Sequence, residues 1–207
     1  NMWYVENAIN SALDQIIDND SDIEVVIVDD SSIDNSYNII HTLFKDLSNV
    51  KILKNDSNMG ISYTRNKGIK AARGRYIYLL DSDDYIHINT INTLTNIIEE
   101  LDESYIGVKT DYCYVDDSDT RSKQICSFEN PIACGILLKK SMLINIGMFD
   151  EDLNAFEEKE LFQRIKLNEK KIAHVPVPFY RYRMHNCNHT KTIDVPEEYS
   201  RYIKKSL

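Results

Sequence analysis

An α/β fold, with a mostly parallel sheet flanked by helices, is predicted by three features of the sequence. Short apolar runs alternate with amphipathic helical patterns, two of those runs end in acidic loops, and 207 residues suffice for one compact domain. Strands buried on both faces read as continuous apolar runs, and parallel strands need long crossovers between them, so both features point to the same layers. In such sheets a ligand crevice lies beyond the carboxyl ends of the strands, which is where both acidic loops fall.

The first helix is predicted over Tyr4 to Ile17, where Val5, Ile9, Ala12, Leu13, Ile16 and Ile17 share one face. Val25 to Val28 follows as a buried strand that stops in Asp29, Asp30, Ser31 and Ser32. Asp34 can cap a second helix with Ile39, Ile40, Leu43, Phe44 and Leu47 on its apolar face, and Val50 to Leu53 is a short strand. Gly60 and Gly68 accompany a short helix between Asn58 and Arg75, and Tyr76 to Leu80 is another buried strand, ending in Asp81-Ser82-Asp83-Asp84. A helix is expected near Ile88 to Leu101. From Asp102 to Pro131 the pattern weakens into Ser- and Asp-rich sequence around a strand at Tyr112 to Val115. Order returns with a strand-like Ile136 to Leu138, a helix starting near Ser141, a loop through Phe149 and Asp150, and a helix carrying Leu161 and Ile165.

A net charge of -9 and a pI near 5.0 argue against nucleic acid or an anionic lipid surface as a partner, because both need clustered Lys and Arg. An acidic protein that binds a phosphate ligand needs a cation instead. Hydrophobic residues make up 43% of the chain without any run long enough to cross a bilayer. Cys113, Cys126, Cys134 and Cys187 form no CxxC pair and read as reduced thiols of a cytosolic protein. No signal peptide is seen, and the chain opens at Asn1 in mid-pattern, so more sequence is expected upstream.

Asp81, Asp83 and Asp84 crowd carboxylates onto one loop, and such charges repel unless protons or a cation hold them together. Mg²⁺ or Mn²⁺ suits oxygen ligands and binds through one or two carboxylates plus substrate phosphates, so a nucleotide diphosphate would complete its shell. Taken alone, a DxD is more often a solvated turn that caps the next helix, and Asp29 and Asp30 carry the same ambiguity. Two such loops on one sheet edge favour a nucleotide site. His185 and His189 have i, i+4 spacing, but the intervening residues do not read as a helix and no acidic third ligand is near, so no dedicated zinc site is expected there.

The phrases IEVVIVDDSSIDNS, NDSNMGISYTRNKGIKAARGRYIYLLDSDD and GMFDEDLNAFEEKELFQRI, in that order, resemble family 2 of the glycosyltransferases, and the likeness runs from Asn1 to RYRMHNCNHT. It implies a GT-A fold whose first strand is missing from the chain. It also implies one catalytic domain over 1–207, with residues 1–101 for the nucleotide and 102–207 for the acceptor. The activity implied is metal-dependent, inverting transfer of a hexosyl or N-acetylhexosaminyl group from a nucleotide-sugar donor, with UDP the expected nucleotide. The acceptor implied is a hydroxyl of a glycan or lipid-linked saccharide, as in bacterial surface polysaccharide synthesis. Such an acceptor would bring a cytoplasmic enzyme to the inner face of the membrane. With no QxxRW sequence, a single addition is expected rather than processive synthesis.

Position by position, the resemblance assigns base recognition to Asp29 or Asp30 and contact with the nucleotide to Arg65. It assigns the ribose or a metal-bound water to Asp81, metal ligation to Asp83, and an approach to metal or diphosphate to His185. Glu157 and Glu158 fall near the acceptor, with Glu158 at the position of the catalytic base. The family has Asp there, and Glu is one methylene longer but still capable of general-base work. Two other readings compete. A catalytically inactive nucleotide-sugar-binding relative would suit both the Glu at 158 and the missing strand. A response-regulator receiver would share the acidic pair but leave the second cluster and Glu157-Glu158 unexplained.

Overall fold

The computed structural model describes residues 2–16, 23–153, 155–185 and 202. Its first elements alternate as expected: α1 (Met2–Leu13), β1 (Val25–Asp29), α2 (Ser36–Phe44) and β2 (Val50–Lys54). β1 and β2 pair in parallel, from Val25 opposite Val50 to Asp29 opposite Lys54. Ile9 of α1 and Ile40 and Phe44 of α2 close over Ile27, Val50 and Ile52, a small core of their own. The Asp34 carboxylate accepts the Ser36 amide at 2.9 Å, satisfying one of the free donors at the start of α2. α1 ends at Leu13, and Ile17 lies outside the described residues.

The remaining elements are α3 (Ile61–Ala71), β3 (Tyr76–Tyr78), β4 (Tyr85–Ile86), α4 (Thr90–Glu99), β5 (Tyr105–Val115), β6 (Ile136–Lys139), α5 (Lys140–Asn145), α6 (Glu157–Leu167) and β7 (Lys171–Arg183). Their strands form a sheet in the order β3-β6-β5-β7-β4. The two long ladders of the molecule, β1 with β2 and β5 with β7, are parallel, whereas the short pairings of β6 with β3 and β5, and of β4 with β7, are antiparallel. β5 is longer than the expected Tyr112 to Val115, and β7 was not expected at all. β7 contains Pro176 and Pro178, which lack the amide a ladder needs; the register passes from Thr110 opposite Val175 to Asp111 opposite Pro178, so an irregularity absorbs them.

Ile106, Leu138, Leu143, Leu161 and Tyr180 sit in the main core with Ile69 of α3 and Ile77 of β3. Leu94 and Ile98 of α4 cover Val108 and Leu137 from the other side. β5 and β6 approach so closely at Gly107 that an added Cβ would lie 2.6 Å from the Leu137 carbonyl oxygen. No helix among the described residues is long and apolar enough to cross a membrane.

β1 and β3 do not pair with each other. Both line a cleft of about 2480 Å³, which α1 and α3 also border. Val25 to Val28 are consequently half-buried, where continuous burial was expected.

Replacing Gly107 with Ala should push β5 and β6 apart and lower stability by about 1–3 kcal/mol, the usual scale of an overpacked core. The result would be a lower urea midpoint with an unchanged slope, since the surface exposed on unfolding stays the same.

Candidate active site

The arrangement of the cleft begins with α3, whose Ser62, Arg65 and Asn66 share one face at i, i+3 and i+4. Ser62 Oγ donates to the Leu153 carbonyl at 2.5 Å. The Asn66 side chain brackets Phe149, donating to its carbonyl at 2.8 Å and accepting its amide at 3.0 Å. A further bond runs from Asn66 Nδ2 to Glu151 Oε1 at 2.9 Å. These bonds stitch the loop before α6 to the helix that follows β2.

Arg65 stands between them with only 9% of its side chain exposed. Its Nη2 donates to Asp81 Oδ1 at 3.0 Å and its Nη1 to Glu157 Oε1 at 2.6 Å. Cys134 Sγ lies 3.7 Å from Nη2, and the Phe149 ring lies against the guanidinium at 5.4 Å. Burial would pull the pKa of Arg65 down, but Asp81, Cys134 and Glu157 outweigh it and raise the pKa well above the ordinary value. The group is a fixed positive charge joining two acidic loops.

The loop after β3 divides its three aspartates. Asp84 is buried, accepting the Tyr180 hydroxyl at 2.5 Å on one oxygen and the Arg183 amide at 2.7 Å on the other. Burial, then the charges of Asp81 and Asp83, push its carboxyl well above the usual carboxylate range. Arg183 is itself fully buried, donates from Nε to the Asp83 carbonyl at 3.1 Å, and is enclosed by the rings of Trp3, Tyr4 and Tyr85. Asp84 thus anchors the loop, while the partly exposed carboxylates of Asp81 and Asp83 line the cleft. Asp83 Oδ2 meets His185 Nε2 at 2.9 Å, and the His185 ring stacks on Tyr4. His189 lies outside the described residues.

Asp29 ends β1 and Asp30 follows it, both on the same cleft. Asp29 accepts the Ser32 amide at 3.1 Å, with Lys54 Nζ at 3.9 Å. Asp30 accepts three hydrogen bonds, from Asn55 Nδ2 and the amides of Met59 and Gly60, at 2.7–2.9 Å. The last two close the turn into α3, so Asp30 fixes the approach of the helix that carries Arg65.

Glu157 and Glu158 open α6 behind Phe156, which adopts φ 64°. Glu157 is buried on Arg65. Glu158 lines the cleft, and its carboxyl bonds to no other side chain among the described residues. Burial, then the neighbouring Glu157 charge, raises its pKa above the usual value. An unengaged carboxylate of raised pKa beside a ligand crevice is suited to accept a proton.

The fit of a divalent ion follows from these orientations. Among the described residues, only Asp111, Cys126 and His174 bring three donor atoms within 4.8 Å of one another, so Asp81, Asp83 and His185 do not form a closed cage. Two accessible carboxylates with oxygen donors still suit Mg²⁺ or Mn²⁺, which takes few protein ligands and completes its shell with phosphates and water. Asn55, Asn66, Tyr180 and Arg183 were not singled out as site residues in the sequence; each acts by holding a functional loop, and no single-residue pattern marks that role.

Residues 4–184 match the family model described as glycosyl transferase family 2. The minor teichoic acid biosynthesis protein GgaA of Bacillus subtilis is 28% identical over 198 residues, covering 87% of this chain and 44% of that protein. The UDP-Glc:alpha-D-GlcNAc-diphosphoundecaprenol beta-1,3-glucosyltransferase WfaP of Escherichia coli is 41% identical over 91 residues, 44% of this chain and 34% of that one. Among solved structures, S. aureus TarS 1-349 in complex with UDP-GlcNAc superposes with a TM-score of 0.82 at 22% identity, over 99% of this chain and 62% of that chain. The matched region spans from 21% to 57% of the length of these curated relatives, and so never as much as two thirds.

Replacing Arg65 with Ala leaves the buried Glu157 carboxylate, and the partly exposed Asp81 beside it, without their counter-charge, and should cost about 3–5 kcal/mol of stability through the buried member. The double variant Arg65→Met with Glu157→Gln should be much closer to wild type, because it removes both charges of the buried pair. Denaturant midpoints of the two proteins decide the point.

Proposed function

The chain belongs to glycosyl transferase family 2, and on that footing we propose that its cleft transfers a sugar from a nucleoside-diphosphate donor to an acceptor hydroxyl, with inversion at the anomeric carbon. The observation that carries the reading is the pairing, in one cleft, of the accessible Asp81 and Asp83 with the unengaged carboxyl of Glu158. The donor end is formed by residues 1–101 and the acceptor end by residues 102–207. UDP is the favoured nucleotide, in keeping with the nucleotides named for TarS and WfaP. The acceptor class is a glycan or lipid-linked saccharide of a bacterial surface polymer, in keeping with the name of GgaA.

In this reading Asp29 or Asp30 accepts a hydrogen bond from the base, with Asp29 retaining more free acceptor capacity. Asp81 and Asp83, the latter oriented by His185, would hold Mg²⁺ or Mn²⁺. When bound, the ion would supply electrostatic stabilisation to the departing diphosphate. Arg65 acts from behind this loop, keeping the Asp81 carboxylate in place. Glu158 takes the proton from the acceptor hydroxyl as that oxygen attacks the face of the sugar opposite the nucleotide, through an oxocarbenium-like state. Family membership sets aside the receiver reading, which also leaves Glu158 without a task.

Three measurements test the proposal. Glu158→Gln should lower kcat for transfer by about 10²–10⁴-fold while leaving the Kd for UDP unchanged. Asp83→Asn should raise the Mn²⁺ concentration needed for half-maximal rate by at least about tenfold. Because the base works only when ionised and its pKa is raised, the acid limb of kcat/KM should fall above the ordinary Glu value of about 4.3, with activity lost as pH drops through it. Donor binding in wild type without any transfer or donor hydrolysis would support the inactive relative instead.

A further inference from the structure

Away from the cleft, three segments bring dissimilar donors together. Asp111 from β5, His174 from β7 and Cys126 from the connection between β5 and β6 place one ligand atom each within 4.8 Å of the others. Asp111 is 2% exposed, while Cys126 and His174 are half-buried, so the group is sheltered yet reachable. Asp111 lies where the β5–β7 register is irregular, and such a bulge re-aims a side chain. Its carboxylate is held on both oxygens: Oδ1 by the Ser127 amide at 2.9 Å and by His174 Nε2 at 2.6 Å, Oδ2 by Gln124 Nε2 at 2.5 Å. Gln124 also donates to the Pro176 carbonyl at 3.0 Å, so one side chain positions both strands. The Ser127 hydroxyl next to Cys126 is buried with no partner among the described residues.

We propose that Asp111, Cys126 and His174 form a zinc-class metal site that staples the 116–135 connection to β5 and β7. A mixed set of carboxylate, thiolate and imidazole suits a borderline ion such as Zn²⁺ and not the oxygen-seeking Mg²⁺ or Mn²⁺ of the cleft. Zinc bonds of about 2.0–2.3 Å place tetrahedral ligand atoms roughly 3.3–3.8 Å apart, so closure asks for shifts of about an ångström. On binding, the Cys126 thiol loses its proton to solvent, the proton that His174 Nε2 shares with Asp111 moves by way of solvent to Nδ1 so that Nε2 is free for the ion, and water takes the fourth position. Gln124 and the Ser127 amide remain to orient the carboxylate, as outer partners of metal ligands do. Burial works against the charge on Asp111, but His174, Ser127 and Gln124 outweigh it and hold its carboxyl below the usual range, ready as an anion. The neighbouring cation, Lys109, is engaged by the Ser127 carbonyl at 2.9 Å. The stapled connection ends in Pro131 to Cys134, which form part of the cleft wall.

Cobalt supplies the test, because a Co²⁺–thiolate bond absorbs in the near ultraviolet. The chelator-stripped 207-residue chain titrated with Co²⁺ should develop this band at one equivalent, and Zn²⁺ should bleach it. Cys126→Ser and His174→Ala should abolish the band, Gln124→Ala should keep it with affinity lowered about 10–100-fold, and Asp83→Asn should leave it unchanged. Zn²⁺ should raise the melting temperature of wild type and not of Cys126→Ser. Absence of the band, its persistence in Cys126→Ser, or its loss in Asp83→Asn would overturn the proposal.

Discussion

Asp81 and Glu157 come from distant parts of the chain and would repel each other across a poorly hydrated gap, and the guanidinium of Arg65 turns that repulsion into attraction. Its planar fork serves both at once, which the point charge of a lysine would not do. The cost of burying the Arg65 and Glu157 charges is offset by short bonds and by the Phe149 ring. Because Ser62 and Asn66 fasten the adjoining loop from the same helix face, the two acidic loops of the cleft are both referenced to α3. Distances across the cleft then depend on one rigid element.

A second anchoring system lies beneath the first. Asp84, Tyr180 and Arg183 link β3's loop to the end of β7, so the exposed aspartates are presented by a buried one. Three adjacent carboxylates in sequence therefore serve two purposes, with burial deciding which. The long β5–β7 ladder carries this anchor and also the Asp111–His174 pair, so a single parallel pairing supports two chemically distinct groups.

Much of the fold was legible because periodicity and strand ends are local signals: the alternation through β3, the two acidic loops and the helix at Leu161 and Ile165 all appeared where expected. β7 was not, since Pro176 and Pro178 suppress the strand pattern and only the partner β5 reveals how a bulge absorbs them. The half-exposure of Val25 to Val28 also departed from expectation, because a continuous apolar run reports what a strand can bury and not whether a neighbour is present on its edge. At the site, residue types and their order pointed to the cleft, but the commitment of Asp30 to the α3 turn and of Glu157 to Arg65 depends on tertiary partners. The same reasoning explains why cysteine spacing gave no hint of Cys126 beside Asp111 and His174: the three are contributed by separate segments.

Phe156 adopts a backbone conformation rarely taken by a bulky residue, and it sets the phase of α6. Successive residues of a helix point about 100° apart, so one turn can send Glu157 inward as a fixed counter-ion and leave Glu158 for the cleft. The reading frame of that helix is chemically meaningful. Slipping it by a single residue would give the ion pair to Glu158 and turn Lys159 toward the cleft, exchanging a carboxylate for a cation without altering composition.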